Sequence, residues 1–259
     1  MAFVIAISNQ KGGVGKTTTA INTGAALAER GAAVVLVDLD PHAGLTKCLG
    51  FDPDDLEHTA YEALNTPNLA HPERFIQSLE PKGLSFVPGS DGLAQLEIEL
   101  RMDSSRYWQL VLKSFLDKIG APYDYILVDC PPSLGLLTIN ALSAANAVLV
   151  PVQPEYLSLE AINTLEHQVS ALKEGPNPNL TFRILRTMRM ARRRHHDQAL
   201  ALVEQQYPDH LFQTVIPHAT AFPNSNSQGQ PLIHYEPSHK GADAYRELSK
   251  EIQTIWPSN

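Results

Sequence analysis

Asn9-Gln10-Lys11-Gly12-Gly13-Val14-Gly15-Lys16-Thr17-Thr18-Thr19 directly follows the apolar run Phe3–Ile7 and leads into a helical stretch, Thr17–Glu29. This order of strand, glycine-rich loop and helix separates a phosphate cradle from a chance cluster of glycines. Gly12, Gly13 and Gly15 permit a tight turn whose N–H groups face inward, and the following helix aims the positive end of its dipole at the same spot. An anion is expected there. Lys16 offers a point charge to β- and γ-phosphates, and the Thr17 hydroxyl is a ligand for the magnesium ion that travels with them. The loop therefore predicts an ATP or GTP site.

The strand Val34–Val37 runs into Asp38-Leu39-Asp40-Pro41, and the strand Tyr125–Val128 runs into Asp129-Cys130-Pro131-Pro132-Ser133. In an open parallel sheet the carboxyl ends of the strands line the ligand crevice, so Asp38, Asp40 and Asp129 are predicted to converge on the loop. A single Asp after a strand is often just a turn or helix cap. Three of them beside a phosphate loop argue for a common site.

Apolar strands also fall at Leu84–Val87, Ala147–Val150, Thr181–Leu185 and Thr214–Ile216. Helical patterns lie between them at Leu93–Leu100, Arg106–Ile119, Leu136–Ala144, Leu157–Glu174, His196–Tyr207 and Gly241–Trp256, with a short one near Ala60–Leu64. Alternation of this kind builds right-handed βαβ units. The predicted fold is α/β: a mostly parallel twisted sheet of about seven or eight strands with helices on both faces, one domain over residues 1–259.

Lys11 stands at the start of the loop, where the common phosphate-loop pattern leaves a free position. Lys-Gly-Gly-Val-Gly-Lys-Thr-Thr at residues 11–18 resembles the deviant Walker A box of the ParA/MinD family, and resemblance to the ParA side of that family extends over nearly the whole chain. The resemblance implies a P-loop ATPase using ATP and Mg²⁺, with Lys11 crossing a dimer interface to the partner's nucleotide. Gly12, Gly13, Val14, Gly15, Lys16, Thr17, Thr18 and Pro217 are the implied nucleotide contacts. Thr17 and Asp129 are the implied magnesium residues, with Asp38 behind them, and Asp40 is the implied switch residue that orients the attacking water.

Composition agrees with a compact enzyme: 259 residues, formal net charge −8, and two cysteines, Cys48 and Cys130, without metal-site spacing. No stretch reads as a membrane span or signal peptide, so a cytoplasmic location is expected. The tail carries Leu248, Ile252 and Ile255 at core-helix spacing without a basic excess on its polar face, so no membrane partner is expected. Only eight residues precede Asn9, so neither a helix-turn-helix extension nor operator recognition is expected.

Against this acidic background, Arg183, Arg186, Arg189, Arg192, Arg193 and Arg194 form a basic run followed by His195 and His196. Such runs are often solvated faces. ParA proteins, however, bind DNA without sequence preference as ATP-held dimers through basic residues in this part of the chain. The resemblance therefore implies an ATP-dependent homodimer that binds non-specific double-stranded DNA through Arg189, Arg192, Arg193 and Arg194. It also implies nucleoid association and a ParB-like or cargo-adaptor protein that stimulates hydrolysis.

Two places depart from the family pattern. His218 replaces an arginine, and Asn224-Ser225-Asn226-Ser227 replaces a Glu-Ala-Pro-Ser segment, so the resemblance does not carry adenine contacts there. Two other readings stay open: an ATP-gated protein regulator without DNA, and a metabolic P-loop enzyme. The cargo is open as well, whether a chromosome origin, a plasmid or a protein organelle.

Overall fold

The computed structural model describes residues 1–66, 69–79, 83–102, 108–155, 158–190 and 194–258, apart from the side chains of 158 and 194–199. Within them eight strands form a single sheet: β1 (Phe3–Ile7), β2 (Val34–Asp38), β3 (Gln77–Leu79), β4 (Leu84–Val87), β5 (Tyr125–Asp129), β6 (Ala147–Val152), β7 (Thr181–Arg189) and β8 (Leu211–Pro217). Their order is β3-β4-β2-β5-β1-β6-β7-β8, with only β3, at one edge, antiparallel to its neighbour. β2, β5 and β6 are buried at every position, as continuous Val/Ile/Leu runs must be when helices cover both faces of a parallel sheet.

The helices are α1 (Lys16–Glu29), α2 (Gly44–Cys48), α3 (Ala60–Asn65), α4 (Gly92–Met102), α5 (Val111–Ile119), α6 (Leu136–Ala144), α7 (Ser158–Lys173), α8 (Arg194–Gln206), α9 (Ala221–Ser227), α10 (Leu232–Tyr235) and α11 (Lys240–Ile255). Alternate strand residues divide the core between the two faces. Val4, Val35, Val37, Ile126 and Val128 pack with α3 to α8, whereas Ile5, Ile7, Leu36, Leu127 and Leu149 pack with α1, α10 and α11.

Helix α1, which carries the end of the glycine loop, is enclosed: residues 19–27 are all buried. Gly24 lets it sit low on the sheet, since a Cβ there would meet Leu36 Cδ2 at 2.6 Å. Its outer side is covered by the chain's last third. Tyr245 Oη and Thr19 Oγ1 are 3.1 Å apart, the Leu232 N–H donates to Asn22 Oδ1 at 2.9 Å, and Arg246 pairs with Glu29 at 2.8 Å. The end of α2 and the end of α9 meet through Gly50 and Gly229, where a Cβ on Gly229 would lie 2.9 Å from Gly50 Cα.

The central strands and the helices flanking them stand where the sequence places them. The largest changes of length are in three expected elements: α5 begins at Val111 after a 3₁₀ turn, Trp108–Leu110, while β7 runs on to Arg189 and β8 begins at Leu211. Four elements were not expected: β3, α2, α9 and α10. No helix among the described residues is long and apolar enough to cross a membrane, and the apolar side of α11 (Tyr245, Leu248, Ile252) is spent on the core.

Candidate nucleotide and magnesium site

The carboxyl ends of β1, β2 and β5 are adjacent, because the chain leaves β1 toward β2 and later crosses to its other side to form β6. Crevices at such a reversal are where open α/β sheets bind ligands. The glycine loop fills this one. Gly13 (φ 75°) and Gly15 (φ 90°) adopt left-handed backbone, and neither Gly12 nor Gly13 has an atom within 4 Å of where a Cβ would stand, so the loop encloses open space. Gly15 is the residue that starts α1, and no side chain caps that helix, so the N–H groups of its first turn face the same space.

The loop is braced from behind. Thr187 Oγ1 donates to the Val14 carbonyl at 2.9 Å, Gln153 Nε2 donates to the Gly13 carbonyl at 2.8 Å, and Asn9 Nδ2 donates to the Pro151 carbonyl at 2.7 Å. The two lysines separate. Lys16 turns inward and is buried, with Nζ 3.3 Å from the Lys11 carbonyl; burial lowers its pKa, and Asp129 works against that shift. Lys11 turns outward to an ion pair with Glu155.

Asp38 and Asp129 are register partners on neighbouring strands, and both are buried. Thr17 Oγ1 donates to Asp129 Oδ2 at 2.7 Å, while Asp129 Oδ1 is buried without a hydrogen-bond partner among the described residues. Asp38 is fully engaged with its own loop: Oδ2 accepts from Thr46 N at 2.9 Å and Thr46 Oγ1 at 2.8 Å, and Oδ1 accepts from Asp40 N at 3.3 Å. It therefore stands behind Asp129 and Thr17, shaping the segment that carries Asp40. Gly89 completes this backing, donating its N–H to Thr46 Oγ1 at 2.9 Å.

A magnesium ion fits these residues. The unpartnered Asp129 oxygen and the Thr17 hydroxyl are hard oxygen donors, and two buried carboxylates side by side call for a cation. Among the described residues no three His, Cys, Asp or Glu side chains cluster as a metal site by themselves. That suits an ion which brings most of its ligands with it as phosphate and water.

Beside Gly15 and Thr18 opens a cavity of about 190 Å³, walled by Met188, Pro217, Phe222 and Asn226. Asn226 lines it, and its Oδ1 is buried with no hydrogen-bond partner among the described residues. Met188 holds φ 53°, a left-handed conformation rare for a side-chain-bearing residue, and its sulfur accepts from Gln153 Nε2 at 2.6 Å.

A family described as an AAA domain matches residues 2–182. The sporulation initiation inhibitor protein Soj of Bacillus subtilis is 41% identical over 253 residues, covering 97% of this chain and 98% of Soj. The chromosome partitioning protein ParA of Myxococcus xanthus is 40% identical, covering 96% of this chain and 87% of that protein. The chain belongs to the ParA/MinD family of P-loop ATPases. A solved structure, cobyrinic acid a,c-diamide synthase from Mycobacterium smegmatis with bound ADP and magnesium, superposes with a TM-score of 0.84 at 35% identity, covering 99% of this chain and 96% of that one.

This ParA/MinD-family ATPase thus carries the α/β fold expected from its sequence, and ATP with magnesium is the cofactor pair its loop accommodates. Gly12 to Thr18 run along the open space, Asp38 and Asp129 end neighbouring strands beside it with Asp38 turned to Thr46, and Pro217 lines the cavity next to Gly15. Of the expected basic face, Arg192 and Arg193 and the side chain of Arg194 lie outside the described residues. Arg189 is exposed. Arg183 and Arg186 leave the run: Arg183 donates to the Leu211 carbonyl at 3.3 Å, and Arg186 donates to the Phe212 and Gln213 carbonyls at 3.0 Å while pairing with Glu204 at 2.5 Å. They fasten β7 to β8, because a half-buried strand at this side of the sheet must satisfy its neighbour's carbonyls. Sequence reading missed Thr46 in the short helix α2, Gly89, Gln153 and Glu155 in loops, and Thr187 and Met188 near the end of β7, all isolated polar or ordinary residues.

Two expectations follow from this packing. Gly89→Ala would put a Cβ 2.7 Å from Asp38 Cγ and 3.1 Å from its Cβ, so the buried carboxylate must shift. A loss of about 1–3 kcal/mol is expected, measured by urea denaturation; an unchanged midpoint would show that the Asp38–Thr46 contact yields freely.

The second concerns pH. Burial, opposed by hydrogen bonds from Thr46, raises Asp38 from 3.8 to about 6, and burial together with Asp38 raises Asp129 well above its ordinary value. The folded chain therefore holds these protons more tightly than the unfolded chain does. The Asp38 contribution is complete below the unfolded value of 3.8 and is lost as pH rises through about 6. In the nucleotide-free protein the melting temperature, compared with that of Asp38→Asn, should fall across that window. Parallel curves for the two proteins would rule this out.

Proposed function

We propose that this ATPase is a nucleotide-gated dimer switch which binds DNA without sequence preference in its ATP state and thereby positions or segregates a cargo. The observation that carries the reading is the divergence of the two loop lysines. Lys16 lies inside its own cradle, whereas Lys11 points away from it to Glu155, exposed enough to be exchanged for a phosphate on a second subunit. ParA proteins and Soj, the relatives at about 40% identity, are named for partition and for inhibition of sporulation initiation.

In this reading the loop amides and Lys16 hold the β- and γ-phosphates, and Asn226 meets the base edge in the cavity by Pro217. Thr17 and Asp129 hold magnesium, which supplies charge neutralisation at the phosphates when bound. Asp40 orients the attacking water. Chemistry of this type rests on positioning and charge, and incomplete sites turn over at roughly 10⁻⁴–10⁻³ s⁻¹. Slow intrinsic hydrolysis suits a switch that a ParB-like or adaptor protein discharges where the cargo sits. The ATP state would then reside on the nucleoid.

Lys11→Ala should bind ATP as a monomer yet fail to dimerise with it, which equilibrium sedimentation reads directly; full dimerisation of that variant would sink the cross-subunit role. DNA binding is tested on a non-specific duplex with ATP, with ADP and without nucleotide, at several salt concentrations. Binding only with ATP, falling steeply with salt and lost when Arg192, Arg193 and Arg194 become alanine, is the expected result. No binding in any state would favour a protein regulator. The likeness to a cobyrinic acid amide synthase gives the metabolic reading one observation of its own. ATP turnover that depends on a carboxylic acid and an amide donor would establish it instead.

A further inference from the structure

Asp40 is tethered almost wholly by one neighbour. Its Oδ1 accepts the His42 backbone N–H at 3.0 Å and lies 2.9 Å from His42 Nδ1, while no hydrogen bond among the described residues engages Oδ2. Against a carboxylate oxygen, which only accepts, Nδ1 is the donor. The turn that brings His42 back is fixed at both ends. Ala43 N donates to the Asp40 carbonyl at 2.8 Å with Ala43 at φ 50°, and Lys47 Nζ donates to the His42 carbonyl at 2.8 Å. A left-handed alanine is a costly conformation, and here it serves to fold His42 over Asp40.

The exposures assign the roles. The Asp40 side chain is 16% exposed and near enough to Lys16 and Asp129 for their charges to interact, whereas the His42 side chain is 86% exposed and supports no core packing. A free carboxylate at the end of a loop would sample several rotamers. Two donors on one oxygen hold it in one, with the other oxygen left for water. We propose that His42 is a positioning residue for hydrolysis, fixing Asp40 through Oδ1 so that Oδ2 is presented to the attacking water. The inference rests on the reading of Asp40 given above.

The test measures ATP turnover of the full chain with magnesium, together with affinity for a non-hydrolysable ATP analogue, in the wild type and in His42→Ala, His42→Leu, His42→Asn and Asp40→Ala. Asn places its side-chain NH₂ where Nδ1 now stands; Leu has comparable bulk and no donor. His42→Ala and His42→Leu should lower kcat about tenfold, as expected for one charge-assisted hydrogen bond, with KM and analogue affinity within about twofold. His42→Asn should retain most of the wild-type kcat. If Asp40→Ala stops hydrolysis while His42→Ala keeps wild-type kcat, the inference about His42 fails and Asp40 keeps its role. If Asp40→Ala hydrolyses ATP normally, the reading of Asp40 fails and takes this inference with it. If the His42 variants weaken analogue binding and Asn does not rescue, His42 holds nucleotide or loop shape and the positioning role is overturned.

Discussion

Lys16→Ala is expected to lower ATP turnover about 10²–10³-fold, the size found when one preorganised charge or donor aimed at a reacting group is removed. Lys16 is poised for that task and for little else. Its ammonium is buried at the base of the cradle and, among the described residues, makes a single long hydrogen bond, 3.3 Å, to the Lys11 carbonyl. Burial lowers its pKa, so the folded protein keeps this group at some cost to its own stability, and a triphosphate is the partner that would offset the cost. The variant should therefore stay folded. Circular dichroism melting beside a coupled ATPase assay checks both halves; near-normal turnover would mean that the loop amides alone carry the phosphate charge.

Asp40→Ala is expected to reduce hydrolysis about 10²–10⁴-fold, the range for losing a group that handles the attacking nucleophile, while analogue binding changes little. The separation follows from the contacts. Thr17 bonds Asp129 and Lys16 bonds the Lys11 carbonyl without the Asp40 side chain, and Asp38 keeps its hydrogen bonds from Thr46 when that side chain is gone, because the Asp40 hydrogen bond to Asp38 comes from the backbone N–H. Under the switch reading the variant accumulates as an ATP-bound dimer. Sedimentation with ATP over hours would show a persistent dimer, and decay at the wild-type rate would remove Asp40 from the hydrolytic step.

How much of this was legible in the sequence depended on whether a residue's task leaves a local pattern. β1, β2 and β5 announce themselves because strands buried on both faces must be apolar throughout, and the residues that end them, Asp38 and Asp129, stand out against those runs. The loop Lys11–Thr18 is legible because positive φ at Gly13 and Gly15 demands glycine. By contrast, Ala221–Ser227 contains Pro223 and two asparagines and has no helical period. It is a helix because Phe222 packs edge-on against Tyr245, a contact across 23 residues of sequence, with ring centroids 5.8 Å apart.

The arginines mislead for a related reason. Arg183 and Arg186 read as part of a charged face, but their guanidinium groups serve carbonyls of β8, which the sequence sets more than twenty residues away. His42 and Thr46 carry no signature either. Their effect lies in which oxygen of Asp40 or Asp38 each one touches, and only the folded turn decides that.

The cover over α1 bears on how the chain comes off the ribosome. Asn22, Thr19 and Glu29 find their partners at Leu232, Tyr245 and Arg246, and the face of the sheet beneath α1 is completed by Leu248, Ile252 and Trp256. While translation is still short of residue 256, the phosphate loop's own helix has one side bare, with Thr19, Asn22 and Glu29 awaiting partners more than two hundred residues downstream. Contacts so far apart in sequence form late. A nascent chain paused before residue 232 therefore has the glycine loop already emerged but no finished nucleotide site. The cover over α1 and the wall of the cavity beside Gly15 are therefore assembled after the loop itself.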